Sequence, residues 1–116
     1  MARILLIEDH SEFRETIQEM LRLAGHQVST AMDGREGVSL FSQNPYDIVI
    51  TDLIMPQQDG ISVIVAIRQK SPNVRIIAIS GGGTINGVDY LKLTEDLGVD
   101  ATLEKPFRAK QLLDLI

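Results

Sequence analysis

The hydrophobic positions along the chain change their period in a regular way. Short uninterrupted apolar stretches, typical of strands buried on both faces of a sheet, alternate with longer segments in which apolar residues recur at helical spacing. The strand-like stretches are 3–7, 27–31, 46–52, 74–80 and 101–105. The helix-like segments are 11–24, 34–43, 61–70, a segment that ends near residue 96, and a last one that starts at 108.

This alternation predicts a parallel sheet with helices on both faces, because strands joined by helical crossovers pack in that way. Five strands fit an α/β fold of three layers, a doubly wound sheet with flavodoxin-like strand order 2-1-3-4-5. In such folds ligands bind beyond the carboxyl ends of the strands, where the strand order reverses. We predict one domain over residues 1–116, with a last helix that is short or truncated.

Individual residues indicate where some of these elements begin and end. Ser11 is a candidate N-cap of the first helix, and Gly25 is a candidate for the residue just after it. Asp59 is the expected cap of the third helix. The segment GGGTING at 81–87 predicts a loop that leads into the fourth helix, which ends near Asp96.

Composition and charge exclude several classes of protein. Hydrophobic residues form 44% of the 116, enough for one core, while aromatic residues form only 4%. A net charge of −5 argues against direct binding of nucleic acid, which needs clustered Lys and Arg. The absence of Cys excludes disulfides and thiolate sites. We see no signal peptide and no apolar stretch of membrane-spanning length, so we expect a cytoplasmic protein without membrane association.

Polar residues collect at the predicted carboxyl ends of four strands. The first strand is followed by Glu8 and Asp9, the third ends in Asp52, the fourth in Ser80 and the fifth in Lys105. Clustered carboxylates repel one another unless a cation is present, and hard oxygen ligands favour Mg²⁺. A strand-end aspartate is rigidly held and open to solvent. These residues therefore predict a Mg²⁺ site beside a carboxylate that could attack phosphorus.

Four short motifs occur in order on these elements: IED at 7–9, DLIMPQQDG at 52–60, AIS at 78–80 and KPF at 105–107. Together they resemble the receiver domain of bacterial two-component response regulators, a chemotaxis-regulator-like fold, over essentially the whole chain. The resemblance implies that Glu8 and Asp9 bind the metal, Asp9 directly and Glu8 through water. It also implies that Asp52 and the backbone carbonyl of Ile54 are metal ligands.

The same resemblance implies the roles of the residues that handle the phosphoryl group. Asp52 is the implied phosphoacceptor, Ser80 bonds the phosphoryl group through its hydroxyl, and Lys105 pairs with the phosphoryl oxygens. The Lys105–Pro106 peptide bond is cis in this family. The implied function is a phosphorylation-dependent switch that receives its phosphoryl group from a histidine kinase or a phosphotransfer protein.

Two positions depart from the family pattern. The family usually has Tyr or Phe three residues before the lysine, and this chain has Thr102. The residue after the hydroxyl is Gly81, and two more glycines follow. Because Thr102 has no ring to move, we expect activation to reorder residues 81–90 instead.

Two other functions stay open. A hydrolase that forms an aspartyl phosphate usually has a second acid two residues after the nucleophile, where this chain has Ile54. An adaptor that is never phosphorylated would not need Glu8, Asp9, Asp52 and Lys105. We therefore expect a phosphoacceptor and not an enzyme, apart from slow self-dephosphorylation. The sequence leaves open the downstream partner, and whether the domain stands alone or belongs to a longer protein.

Overall fold

The computed structural model describes residues 1–53, 60–81, 84–85, 88–89, 92 and 95–116, with no side chains for 84, 85, 88 and 89. The strands are β1 Arg3–Ile7, β2 Gln27–Ala31, β3 Ile48–Asp52, β4 Arg75–Ser80, β5 Thr84–Ile85, β6 Val88–Asp89 and β7 Ala101–Glu104. The helices are α1 Ser11–Leu23, α2 Gly34–Gln43, α3 Gly60–Lys70 and α4 Ala109–Leu113. Residues 92, 95 and 96 also have helical backbone.

Five parallel strands form one sheet in the order β2-β1-β3-β4-β7. This is the predicted order 2-1-3-4-5, with β7 as the fifth strand of the sheet, so the predicted fold class is confirmed. The order reverses between β1 and β3, which pair directly, with Ile7 opposite Thr51. The residues that follow these two strands therefore emerge side by side at one edge of the sheet.

Two hydrophobic clusters cover the two faces of the sheet. Successive residues of β1 point to opposite faces. Leu5 and Ile7 accordingly belong to the cluster that packs on α2 and α3, while Ile4 and Leu6 belong to the cluster that packs on α1 and α4. The buried core residues are aliphatic, as the low aromatic content indicates. Within the described part of the chain, no helix is long and apolar enough to cross a membrane.

The N-terminal cap of α1 differs from the prediction, whereas its C-terminal end agrees with it. The N-cap is His10, not Ser11, because the His10 side chain accepts a hydrogen bond from the backbone N–H of Phe13 at 3.3 Å. Ser11 is the first helical residue. At the other end Gly25 has φ +95°, a conformation that glycine adopts readily, so its predicted place after the helix is confirmed.

The segment after β4 contains structure that the glycine-rich pattern did not predict. Thr84–Ile85 and Val88–Asp89 pair as two short antiparallel strands. The sequence between them is Asn-Gly, a strong signal for a two-residue hairpin connection, which the prediction of a simple loop overlooked. The predicted cap Asp59 and half of the segment 81–90 lie outside the described residues.

Candidate functional site

Three carboxylates meet at the edge of the sheet where the strand order reverses. One oxygen from each of Glu8, Asp9 and Asp52 lies within 4.8 Å of the others. Glu8 follows β1, and its backbone N–H still donates to Ala31 in β2 at 3.0 Å. Glu8 and Asp52 are almost fully buried, with exposed fractions of 2% and 7%, whereas Asp9 is exposed. The predicted convergence of these residues is thus present in the structure.

Lys105 reaches the same cluster from the far side of the sheet. Its Nζ lies 3.0 Å from Glu8 Oε1 and 2.9 Å from Asp52 Oδ2. Its backbone N–H donates to the carbonyl of Ser80 at 2.7 Å, which ties the end of β7 to the end of β4. The peptide bond between Lys105 and Pro106 is cis, as the resemblance implies.

The charges in this cluster do not balance when all three acids are ionised, because one ammonium then faces three carboxylates. Burial, reinforced by the nearby Asp52 carboxylate and opposed by Lys105, raises the pKa of Glu8 to about 8. Burial lowers the pKa of Lys105, but its hydrogen bonds to Asp52 and Glu8 outweigh burial and leave that pKa raised. Lys105 therefore stays charged, and the site has electrostatic room for another cation.

The donor atoms fit a hard divalent cation. The second oxygen of Glu8, Oε2, is buried and has no hydrogen-bond partner among the described residues. A buried carboxylate oxygen without a partner is unfavourable, and a cation or its bound water would satisfy it. Clustered carboxylate oxygens are the ligands that Mg²⁺ prefers. Ile54, whose carbonyl is a predicted ligand, lies outside the described residues.

Gly60 allows the backbone to pass close to Asp52. A Cβ at this position would overlap the carbonyl oxygen of Asp52 and would lie 2.5 Å from the Cα of Leu53. The backbone N–H of Gly60 also donates to the carbonyl of Leu53 at 2.8 Å. The first residue of α3 thus packs directly on the end of β3, and only glycine fits there without a shift of backbone.

Ser80 and Thr102 occupy neighbouring strands. Ser80 is buried at the end of β4, next to Ile79, which is the register partner of Asp52. Thr102 is exposed and lies opposite Ala78. Ser80 is therefore close in the sheet to the carboxylate cluster, while Thr102 lies farther back along β7.

Three residues without a predicted site role lie around Lys105 and the carboxylates, Arg14 and Phe13 in direct contact and Phe107 behind Phe13. Arg14 Nη1 donates to the carbonyl of Glu8 at 2.9 Å, and the ring centroid of Phe13 lies 4.3 Å from Lys105 Nζ. The rings of Phe13 and Phe107 meet edge to face, with centroids 5.7 Å apart. Phe13 is one of the apolar positions of the predicted first helix, 11–24. Its position in the first turn of the helix that follows Asp9 could have indicated that its side chain lies near the site.

The fold and site define a class: a doubly wound parallel α/β domain with a lysine and three acids at its switch point. Comparisons with known proteins identify the family. The model of the response regulator receiver domain matches residues 4–116. The chain belongs to this family, which is the family that its sequence motifs resemble.

Two curated relatives are transcriptional regulators. DltR of Streptococcus agalactiae is 34% identical over 112 residues, which are 96% of this chain and 48% of the relative. The cell cycle regulator CtrA of Caulobacter vibrioides is 36% identical over 111 residues, 96% of this chain and 47% of the relative. The chain thus spans about half the length of these relatives.

Solved structures agree with the fold. A receiver domain protein from Clostridium thermocellum superposes with a TM-score of 0.91 at 32% identity, covering 99% of this chain and 90% of that one. The response regulator TrrA from Thermotoga maritima, solved in complex with Mg²⁺ and BeF, gives a TM-score of 0.84 at 28% identity and covers all of both chains. Receiver domains of this family bind Mg²⁺ in an acidic pocket, and the chain has such an acidic cluster.

Proposed function

We propose that this chain is a phosphorylation-controlled switch over residues 1–116, in which Asp52 accepts a phosphoryl group and the modified domain changes the surface it offers to a partner. The observation that carries the proposal is the pair of contacts from Lys105 Nζ to Asp52 and Glu8, beside the exposed Asp9. Asp52 is the last residue of the buried strand β3, and its exposed fraction is 7%, so it is less open to solvent than the sequence predicted.

Glu8, Asp9 and Asp52 would hold Mg²⁺, together with the carbonyl of Ile54. When bound, the metal neutralises charge on the incoming phosphoryl oxygens. Asp9 is the exposed member of the cluster and would bind the metal directly, whereas Glu8, already bonded to Lys105 through Oε1, would act through water. The unpartnered Oε2 of Glu8 supports this assignment.

The chain's own residues would carry out the transfer by positioning. A carboxylate oxygen of Asp52 attacks phosphorus, an O–P bond forms, and the bond from phosphorus to the donor's imidazole nitrogen breaks. The electron pair stays on that nitrogen, which takes a proton from solvent. The Lys105 ammonium pairs with the negatively charged phosphoryl oxygens, and the Ser80 hydroxyl donates a hydrogen bond to one of them. Such prepositioned donors are a large part of phosphoryl-transfer catalysis.

The phosphoryl donor in this proposal is a histidine kinase or a phosphotransfer protein, and the domain acts in the cytoplasm. It performs no turnover beyond slow self-dephosphorylation. The relatives DltR and CtrA are transcriptional regulators about twice as long as this chain. The output in this protein would therefore be another domain or a separate protein, and this domain would not contact nucleic acid itself.

Substitution of Asp52 tests the proposed acceptor. With Mg²⁺ and acetyl phosphate, the native protein should gain one phosphoryl group that is labile to base and to hydroxylamine, and Asp52→Ala should gain none. Intact-mass spectrometry measures both. Asp114→Ala is the matched control, because Asp114 is an exposed acid that pairs with Lys110 at 3.2 Å, at the C-terminal end of α4 and away from the carboxylate cluster. Equal labelling of Asp52→Ala and the control would reject Asp52 as the acceptor.

Magnesium titration tests the metal site separately. Mg²⁺ alone should shift the amide NMR signals of residues near 8, 9 and 52, and Asp9→Ala should weaken that binding by about tenfold or more, since it removes a direct ligand. Asp114→Ala should bind Mg²⁺ like the native protein. Unchanged affinity in Asp9→Ala would show that the metal is held elsewhere.

A further inference from the structure

We propose that the Phe13 ring, braced by Phe107, is a positioning residue that fixes the ammonium group of Lys105 between Glu8 and Asp52. The kinetic part of this inference rests on the proposed function, whereas the geometric part does not. The contact joins the first turn of α1 to the segment after β7, two elements far apart in the sequence.

The Lys105 ammonium has three N–H groups and makes two kinds of contact, hydrogen bonds to carboxylates and a contact with an aromatic ring. Two carboxylates lie within 3.0 Å of Nζ, and the face of the Phe13 ring lies 4.3 Å away. The negative face of an aromatic ring attracts a cation at this distance. The ring thus closes a side of the ammonium that water would otherwise occupy.

The Phe13 ring is itself held from two directions. Its backbone N–H donates to Nδ1 of His10, the N-cap of α1, so the backbone at residue 13 is fixed by the helix start. The ring meets Phe107 at an interplanar angle of 72°, an arrangement that aromatic pairs favour. Phe107 follows Lys105 by two residues, so the lysine and the ring that braces its contact are tied to the same short segment.

This contact has a property that the two ion pairs lack. When Glu8 and Asp52 bind a metal, or when Asp52 is phosphorylated, the negative charge that these carboxylates present to Lys105 decreases. Their ion pairs with Lys105 then weaken. The Phe13 ring carries no charge that such a ligand could neutralise. The ring therefore keeps the ammonium near Asp52 while its carboxylate partners change, and a prepositioned cation loses less freedom in the transfer step.

Lysine-selective NMR tests the geometric part without any phosphodonor. In metal-free buffer, the Lys105 side-chain signals of the native protein should be displaced upfield by the ring current of Phe13. They should move toward ordinary lysine values in Phe13→Leu and return to the displaced position in Phe13→Tyr, which restores the ring. Phe41→Leu is the matched control, because Phe41 stacks on Tyr46 instead. A Lys105 signal that is the same in the native protein and Phe13→Leu would overturn the inference.

Phosphorylation kinetics test the consequence. With Mg²⁺ and acetyl phosphate, Phe13→Leu should be labelled about three- to tenfold more slowly than the native protein, as expected for the loss of one cation–π contact. Phe13→Tyr should recover most of the rate. A normal rate in Phe13→Leu would overturn the positioning role. If the native protein itself is not labelled, the proposed function fails, and the NMR result alone decides whether Phe13 positions Lys105.

Discussion

Two groups of ion pairs lie at different places in this domain and differ in how completely their charges are satisfied. In the carboxylate cluster, one lysine faces three acids, and Glu8 Oε2 is left without a partner among the described residues. The second group joins α3 to the segment before β7 through Arg68 and Asp100, which are 2.9 Å apart. There the charges match one to one.

The Arg68–Asp100 pair is also supported by backbone groups. Arg68 donates to the carbonyls of Val74 and Gly98, the latter at 2.9 Å, and Asp100 Oδ2 accepts from the N–H of Ile76 at 2.8 Å. The charged groups of Arg68 and Asp100 are thus satisfied by each other and by backbone groups, and the pair ties α3 to the segment before β7. The carboxylate cluster leaves Glu8 Oε2 without a partner among the described residues, and a cation that displaces the proton of Glu8 would supply the missing positive charge. The difference separates an ion pair that stabilises the fold from one arranged for chemistry.

The largest expected effect is a difference between Lys105 and Arg68 in how much their removal slows phosphorylation. Lys105→Ala should slow labelling by acetyl phosphate about 100-fold, a loss typical for removal of one preorganised charge donor. Arg68→Ala should change the rate by less than about twofold, because Arg68 touches none of the acids in the cluster. Time-resolved labelling measures both. A comparable loss of rate in Arg68→Ala would show that the second pair also serves the chemistry.

For the free energy of unfolding, we expect the larger effect from the Arg68–Asp100 pair. Asp100→Ala should lower the free energy of unfolding by about 2 kcal/mol, because it removes the carboxylate that pairs with Arg68 and takes away the acceptor of the Ile76 N–H. Urea denaturation measures the change, and Asp114→Ala in an exposed pair should alter stability by less than about 0.5 kcal/mol. Equal effects of the two substitutions would mean that Asp100 is no more structural than a surface acid.

The smallest expected effect is a difference in the sign of the pH dependence. Burial, together with Asp52, raises the pKa of Glu8 from 4.5 to about 8, so the folded protein holds a proton that the unfolded chain releases. Between about pH 4.5 and pH 8 the metal-free protein should therefore lose stability as pH rises, by about 1 kcal/mol or more. Denaturation in EDTA measures this loss, and Glu8→Gln should remove it.

The opposite sign is expected for Asp100. Burial raises the pKa of Asp100, but its hydrogen bonds to the Ile76 N–H and Arg68 leave that pKa below its usual value of 3.8. The stability from this group is therefore present above about pH 3.8 and is lost as pH falls through the lowered pKa. Glu8→Gln should leave this acid-side loss intact. A pH profile in which the native protein and Glu8→Gln coincide from pH 4.5 to pH 8 would contradict the difference between the two groups.

The sequence predicted the parts of the site that lie on regular elements. Glu8 and Asp52 follow uninterrupted apolar strands, and the carboxyl ends of parallel strands meet at one edge. Their convergence therefore followed from the order of strands and helices. The short strand pair 84–85 and 88–89 was missed because the segment 81–87 was interpreted as a loop and the Asn-Gly signal within it was overlooked. The N-cap was assigned to Ser11 because serine is the commoner cap, yet the His10 imidazole accepts the hydrogen bond.

The sequence by itself determined the alternation of strands and helices, the strand order and the acids and lysine at the strand ends, because periodicity and motif order are local properties of the chain. Only the tertiary structure decided that Lys105 Nζ lies between Glu8 and Asp52, that Glu8 Oε2 is buried without a partner among the described residues, and that Phe13 faces the lysine. These contacts join residues up to 97 positions apart. Their distances and burial depend on how the layers pack, which no local pattern specifies.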